Sequence, residues 1–113
     1  MENRKTLREV CELLQVSRRV IQGYEKAGLV SASQKNKYGH LLYDNDALQR
    51  ISQIRQYQNF GYSIKEIQKI VDASDDIRKE MLKKQLVKLK AEHGRMEKMI
   101  QLMQNMIYEL EQQ

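Results

Sequence analysis

From Leu82 onward, the residues Leu82, Leu86, Leu89, His93, Met96, Ile100, Met103, Ile107 and Leu110 advance by alternating steps of four and three. That is the heptad spacing of a helix with one continuous seam, and eight of these nine positions are apolar. Asp75 and Asp76 suit the positive end of such a helix, and Gly94 is the one strong breaker along it. At 1.5 Å per residue, Asp76 to Gln112 would extend about 55 Å. A helix of that length cannot fold back on the small remainder of a 113-residue chain, so its seam needs a partner. Burial at roughly 1.5–3 kcal/mol per large side chain supplies much of a dimer's stability, less the entropy of association. The spacing leaves parallel and antiparallel pairing open. Met99 and Met106 widen the seam near the C-terminus, which reads as packing, against the partner's globular part as well, rather than as a methionine-lined ligand site. His93 is a polar core position that fixes register or sits at an exposed edge, and Gly94 beside it costs about 1 kcal/mol.

The net charge of +5 and pI near 9.4 favour a polyanionic partner. The excess lies before the long helix: residues 1–74 hold 12 Lys/Arg against 8 Asp/Glu (+4), and residues 75–113 hold 8 against 7 (+1). One cysteine excludes an intramolecular disulfide framework and any multi-cysteine zinc site, and fits a reducing cytoplasm. No run approaches the roughly 20 apolar residues of a membrane span, and no signal-peptide core follows Met1, so a soluble, intracellular protein is expected. A Gly-rich phosphate loop, a nucleophile motif and a paired His/Cys/Asp set are all missing. Enzyme chemistry, a bound metal and a cofactor are therefore not expected, and the acidic residues read as helix caps and solvated faces.

Thr6-Leu7-Arg8-Glu9 has the form of a capping box, predicting a helix from Leu7 with Leu7, Val10, Cys11 and Leu14 as its buried stripe. Cys11 reads as a small core hydrophobe. After the turn Gln15-Val16-Ser17, Ser17 caps a second helix that ends at Gly28, a candidate left-handed residue. Val20, Ile21 and Tyr24 give this helix a narrow inward face and leave the long donors Arg18, Arg19, Gln22 and Lys26 to meet nucleic acid. Two helices across such a turn form a helix-turn-helix, whose second helix enters the major groove. Lys37 to Tyr43 predicts a short hairpin with Gly39 at its bend, a wing on which Lys35, Lys37 and His40 reach phosphate. For His40 a solvated loop histidine is the alternative. Asp44 caps a third helix carrying Leu48, Ile51, Ile54, Arg55 and Gln58, which Gly61 ends. Ser63-Ile64-Lys65-Glu66 is a second capping box, opening a helix with Ile64, Ile67, Ile70 and Val71 inward. Tyr57, Phe60 and Tyr62 are expected to pack at the junction of these two helices rather than to stack on bases.

Together, Thr6 to Val10, Val16-Ser17-Arg18, Tyr24 to Leu29, the Gly39 to Tyr43 wing and Phe60 to Ile67 resemble the MerR family of bacterial transcription regulators, in order, from about Lys5 to Val71. The resemblance implies a mainly α fold: a winged helix-turn-helix with a small β-hairpin wing, a second helix pair, and a long C-terminal coiled-coil helix pairing antiparallel in a homodimer. Residues 1–74 would be the DNA-binding domain and 75–113 the dimerisation helix, with Leu82, Leu86, Leu89, His93, Met96, Ile100, Met103, Ile107 and Leu110 at the interface. The expected DNA-binding set is Thr6, Ser17, Arg18, Arg19, Gln22, Tyr24, Lys35, Lys37, Tyr38, His40 and Lys65. Double-stranded DNA, a second copy and RNA polymerase at a promoter are the implied partners.

This chain departs from the family pattern where Gln22 and Gly23 replace an arginine and a tyrosine, Leu41 replaces a wing arginine, and Gln15 replaces the turn glycine. It also shows neither a drug-binding segment nor sensor cysteines after the long helix, which implies a short form controlled by abundance, dimerisation or a protein partner. The leading expectation is a homodimeric regulator reading an inverted repeat at a promoter. Alternatives are an accessory DNA binder, such as a phage or plasmid recombination-directionality factor, and a protein adaptor working through its coiled coil.

Overall fold

The computed structural model describes residues 4–113 and divides into two compact units between Ala73 and Ser74. The first contains β1 (Lys5–Thr6), α1 (Leu7–Leu14), α2 (Arg18–Lys26), β2 (Gln34–Lys35), β3 (Leu41–Tyr43), α3 (Asn45–Asn59) and α4 (Ile64–Ile70); the second is α5 (Asp75–Glu111).

The first four helices start at the caps read from the sequence, and α5 starts after a cap at Ser74. The Thr6 hydroxyl accepts from the Glu9 N–H (3.3 Å) and the Glu9 carboxylate accepts from the Thr6 N–H (3.0 Å), completing a reciprocal box. These bonds from Thr6 hold the Glu9 carboxyl below its ordinary range. Ser17, Asp44 and Ser74 accept from Val20, Ala47 and Ile77, and Ser63 and Glu66 form the second box. Three helix exits use left-handed residues, Gly61 after α3 at φ +100° among them. Gly28 follows α2 at φ +74°, and Gln15 follows α1 at φ 54°, ψ 48°. Glycine takes that conformation freely, but a residue with a Cβ does so at a cost of roughly 1–2 kcal/mol.

The sheet is antiparallel in the order β1-β3-β2, with Lys5 opposite Tyr43 and Lys35 opposite Leu41. It corrects the expected hairpin. The outgoing strand is Gln34–Lys35, before the start expected at Lys37, whereas Lys37-Tyr38-Gly39 lie in the bend, closed by the Asn36 N–H donating to the His40 carbonyl (2.9 Å). The Asn36 side chain also accepts from the Tyr38 and His40 N–H groups, and Gly39 is left-handed at φ +81°. β1 was not anticipated, because two residues are too few to show an alternating pattern.

Val10, Ile21, Tyr24, Tyr43, Ile51, Ile54, Ile67 and Ile70 form the centre of the core. Of the stripe expected on α1 only Val10 is fully buried; Leu7, Cys11 and Leu14 are half-buried, since a two-turn helix on one side of a small core cannot cover all four. Tyr57 and Tyr62 pack edge to face at 5.9 Å between α3 and α4, and Phe60 remains partly exposed. Arg50 ties three segments together: its Nε donates to the Leu29 carbonyl, and its two terminal nitrogens donate to Asp72, each at 2.9 Å.

α5 runs 37 residues through Gly94 without interruption and contains no buried residue. Leu86, Leu89, Met96, Ile100, Met103, Ile107 and Leu110 are all exposed. His93 is exposed too, its Nε2 lying 3.5 Å from Glu97 on the next turn.

Candidate nucleic-acid interface

α2 is amphipathic over only nine residues, so its outward face is fixed by its inward one. Ile21 and Tyr24 are buried, which leaves Arg18, Arg19, Gln22, Gly23 and Lys26 exposed on the other side. Ser17 is exposed at the head of the helix, and its oxygen accepts from Val20 while its own proton stays available.

Two grooves flank this face. The first is lined by Thr6, Leu7, Arg8, Arg18, Gly39, His40 and Leu41, bringing the start of α1, the head of α2 and the wing to one place. The second is lined by Ser17, Arg19, Val20, Gly23, Tyr24, Gln58 and Ile64, so it runs from α2 to α3 and the start of α4. Lys65 follows Ile64 and is exposed. On the wing, Lys35, Lys37, Tyr38 and His40 are exposed; the Lys37 ammonium sits 5.1 Å from the Tyr38 ring centroid, and the His40 and Tyr38 ring centroids are 6.4 Å apart. A stacked cation, an exposed aromatic and an imidazole at a loop tip suit contact with a sugar-phosphate edge.

One expected site residue, Tyr24, is corrected by its surroundings, and a second, Thr6, lines the first groove while serving as a cap. Tyr24 is 2% exposed, and its hydroxyl donates to Gln58; the ring is a core element, not part of the outward face. Burial raises its ionisation above the ordinary tyrosine range, with Arg55 acting in the opposite direction. The Thr6 hydroxyl accepts from the Glu9 N–H and donates to the Glu9 carboxylate (3.1 Å), so its one proton is held within the cap. Tyr43, buried beneath the wing, donates to Glu25, and burial followed by that carboxylate pushes its ionisation far up. Leu41 is half-buried in β3 and lines the first groove, where it offers an apolar side chain instead of a charge.

Arg8 was missed. It lines the first groove, exposed and paired with Glu12 at 3.3 Å. The signal was its place inside the first capping box, which fixes it at the head of α1 beside whatever the wing touches. Gln58 and Arg55 were legible as helix positions but not as partners of Tyr24. Among the described residues no group of His, Cys, Asp and Glu has the arrangement of a metal site, and no helix is long and apolar enough to cross a membrane.

The family description "MerR HTH family regulatory protein" matches residues 5–74. The chain belongs to the MerR family. A second description, "MerR, DNA binding", matches residues 48–112. The architecture described above is therefore a MerR-type winged helix-turn-helix followed by a long helix. The chain is similar to the nodulation protein NolA of Bradyrhizobium sp. (strain NC92), at 31% identity over 80% of this chain and 38% of that protein. It is also similar to the HTH-type transcriptional activator mta of Bacillus subtilis, at 30% identity over 84% and 37%. It thus spans about two-fifths of the length of these relatives. Among solved structures, a MerR-family transcriptional regulator from Bacillus cereus superposes with a TM-score of 0.77 at 28% identity, covering 91% of this chain and 79% of that one. A MerR-family regulator lacking the sensor domain, HiNmlR, solved bound to promoter DNA, shares the fold with a TM-score of 0.70 at 20% identity, over 86% and 78%.

Proposed function

We propose that this MerR-family chain is a sequence-specific, DNA-binding transcriptional regulator that acts in the cytoplasm as a homodimer on an inverted-repeat promoter site, as a binding protein and not an enzyme. The observation that carries this reading is the outward face of α2, where Arg18, Arg19, Gln22 and Lys26 stand exposed between two grooves that lead to the wing and to the head of α4. Residues 1–74 would serve as the DNA-binding domain. Arg8, Ser17, Arg18, Arg19, Gln22, Lys35, Lys37, Tyr38, His40 and Lys65 would make the contacts, the wing residues positioning the protein on phosphate and α2 reading bases. RNA polymerase at the promoter is part of the proposal.

Residues 75–113 would pair with a second copy along the exposed seam of α5. The flanking charges support an antiparallel arrangement. In a parallel pair, Glu92 would lie beside Glu97 of the second copy and Arg78 beside Lys83, like charges in both cases. An antiparallel pair can match Leu82 with Ile107, Leu86 with Met103, Leu89 with Ile100 and His93 with Met96 of the second copy. In that register Lys90 meets Glu97 of the second copy, twice by symmetry.

The test is fluorescence anisotropy of the protein with its own upstream DNA and with an unrelated duplex, between roughly 50 and 200 mM salt. Preferential binding that survives the higher salt is expected. Equal binding that collapses with salt on both duplexes would instead indicate an accessory DNA binder, and no binding would shift the function to the coiled coil.

A further inference from the structure

Gln22 and Lys26 stand two residues either side of Tyr24, a rotation of about 200° around the helix. Tyr24 is 2% exposed, so these two side chains point directly away from the core. Gln22 is the one nearer the head of α2, with Arg18 and Arg19 one turn before it. That is the part of a recognition helix that meets base edges. Its neighbours on the face are cations, for which any phosphate is a partner. A neutral amide gains most from a surface that offers a donor and an acceptor side by side, and in the major groove adenine N6 and N7 do so.

Gly23 is the second observation. It lies inside α2, where glycine costs about 1 kcal/mol relative to alanine. A Cβ built there meets nothing within 4 Å, and the residue is not in the left-handed region, so neither packing nor backbone conformation requires a glycine. It borders Gln22 and lines the groove shared with Ser17 and Arg19. A bare stretch of helix backbone at that point fits the close approach of a surface from outside the chain.

We infer that Gln22 is the base-reading residue of α2, recognising one adenine in each half-site through its side-chain amide, and that Gly23 is bare so that the DNA strand can come close enough for this contact. The inference rests on the DNA-binding reading above. Gln22 Oε1 accepts from adenine N6–H, and Nε2 donates to N7. In a dimer on an inverted repeat, the two adenines lie at symmetry-related positions.

The experiment is selection of duplexes from a randomised pool by the intact protein and by Gln22→Ala and Gln22→Arg, followed by anisotropy on the selected sites. The parent should select one invariant adenine per half-site, and replacing it by guanine or 7-deazaadenine should weaken binding roughly tenfold. Gln22→Ala should lose preference at that position alone, and Gln22→Arg should turn it toward guanine. Gly23→Ala should melt at a higher temperature than the parent yet bind every selected site more weakly. Unchanged base preferences in Gln22→Ala would overturn the reading role, and undiminished binding by Gly23→Ala would overturn the close approach. If the parent enriches no sequence at all, the operator-binding reading fails and this inference falls with it.

Discussion

Replacing Gln15 with glycine should raise the stability of the globular unit. Gln15 holds φ 54°, ψ 48° at the exit of α1 and is exposed, so its side chain supplies no burial to offset the crowding of its Cβ. The backbone bonds of the turn, from the Gln15 and Val16 N–H groups to the Cys11 carbonyl, do not depend on the side chain. Removing the Cβ relieves roughly 1–2 kcal/mol, and the greater freedom of glycine in the unfolded chain returns part of that. The net gain should be about 1 kcal/mol, or roughly 4–8 °C in melting temperature for a unit of this size. The mirror experiment is Gly28→Ala, which adds a Cβ at φ +74° and should cost about as much. Both are read from the near-UV circular dichroism of the buried tyrosines, because α5 supplies much of the far-UV signal, and at one fixed protein concentration because the proposed dimerisation would shift the melt. A Gln15→Gly protein melting at or below the parent would refute the strain argument.

Three further outcomes follow from the same geometry. Tyr24, Tyr43 and Tyr62 are held protonated above their ordinary range, chiefly by burial; their stabilising effect is complete below the unfolded tyrosine value of about 10 and is lost as pH climbs toward the folded values. An ultraviolet titration should accordingly show a group of tyrosines ionising together with unfolding, and independent ionisation of all six near pH 10 in a folded protein would contradict this. Arg50→Ala should destabilise by about 1–3 kcal/mol in urea, and Asp72→Ala by less, because Asp72 is 74% exposed and the bond to Leu29 survives its loss; equal losses would mean that the Leu29 bond contributes nothing. Glu97→Lys should weaken the dimer several-fold by placing Lys90 against a new lysine in two copies, roughly 1 kcal/mol in all, and Lys90→Glu in the same chain should restore it. Sedimentation equilibrium measures this, and a tighter dimer in the single variant would mean parallel pairing, where the change would remove the Glu92–Glu97 repulsion.

Much of the fold was legible because the chain announces its helix starts. Thr6, Ser17, Asp44 and Ser63 are side chains whose capping bonds involve only the next turn, so local sequence suffices to place them. The seam of α5 was equally plain, since a heptad repeats over many turns. The sheet was harder: β1 and β2 have two residues each and are defined by pairing with β3, a non-local condition that leaves no period to read. At the candidate interface, Arg18, Arg19 and Gln22 followed from the helical period once Ile21 and Tyr24 were taken as inward. The same period already placed Tyr24 in the core, and only the resemblance moved it to the outer face. Arg8 escaped because its place in the groove depends on the wing, which lies beside α1 only in three dimensions.

The most direct measurement on the central claim is a hydroxyl-radical footprint of the protein on a duplex it prefers, with the stoichiometry of the complex determined in parallel by sedimentation. The account predicts two protected half-sites related by a dyad, occupied by two copies, with protection of both lost in Arg19→Ala. A single protected patch held by one copy, or a footprint that Arg19→Ala leaves unchanged, would contradict it.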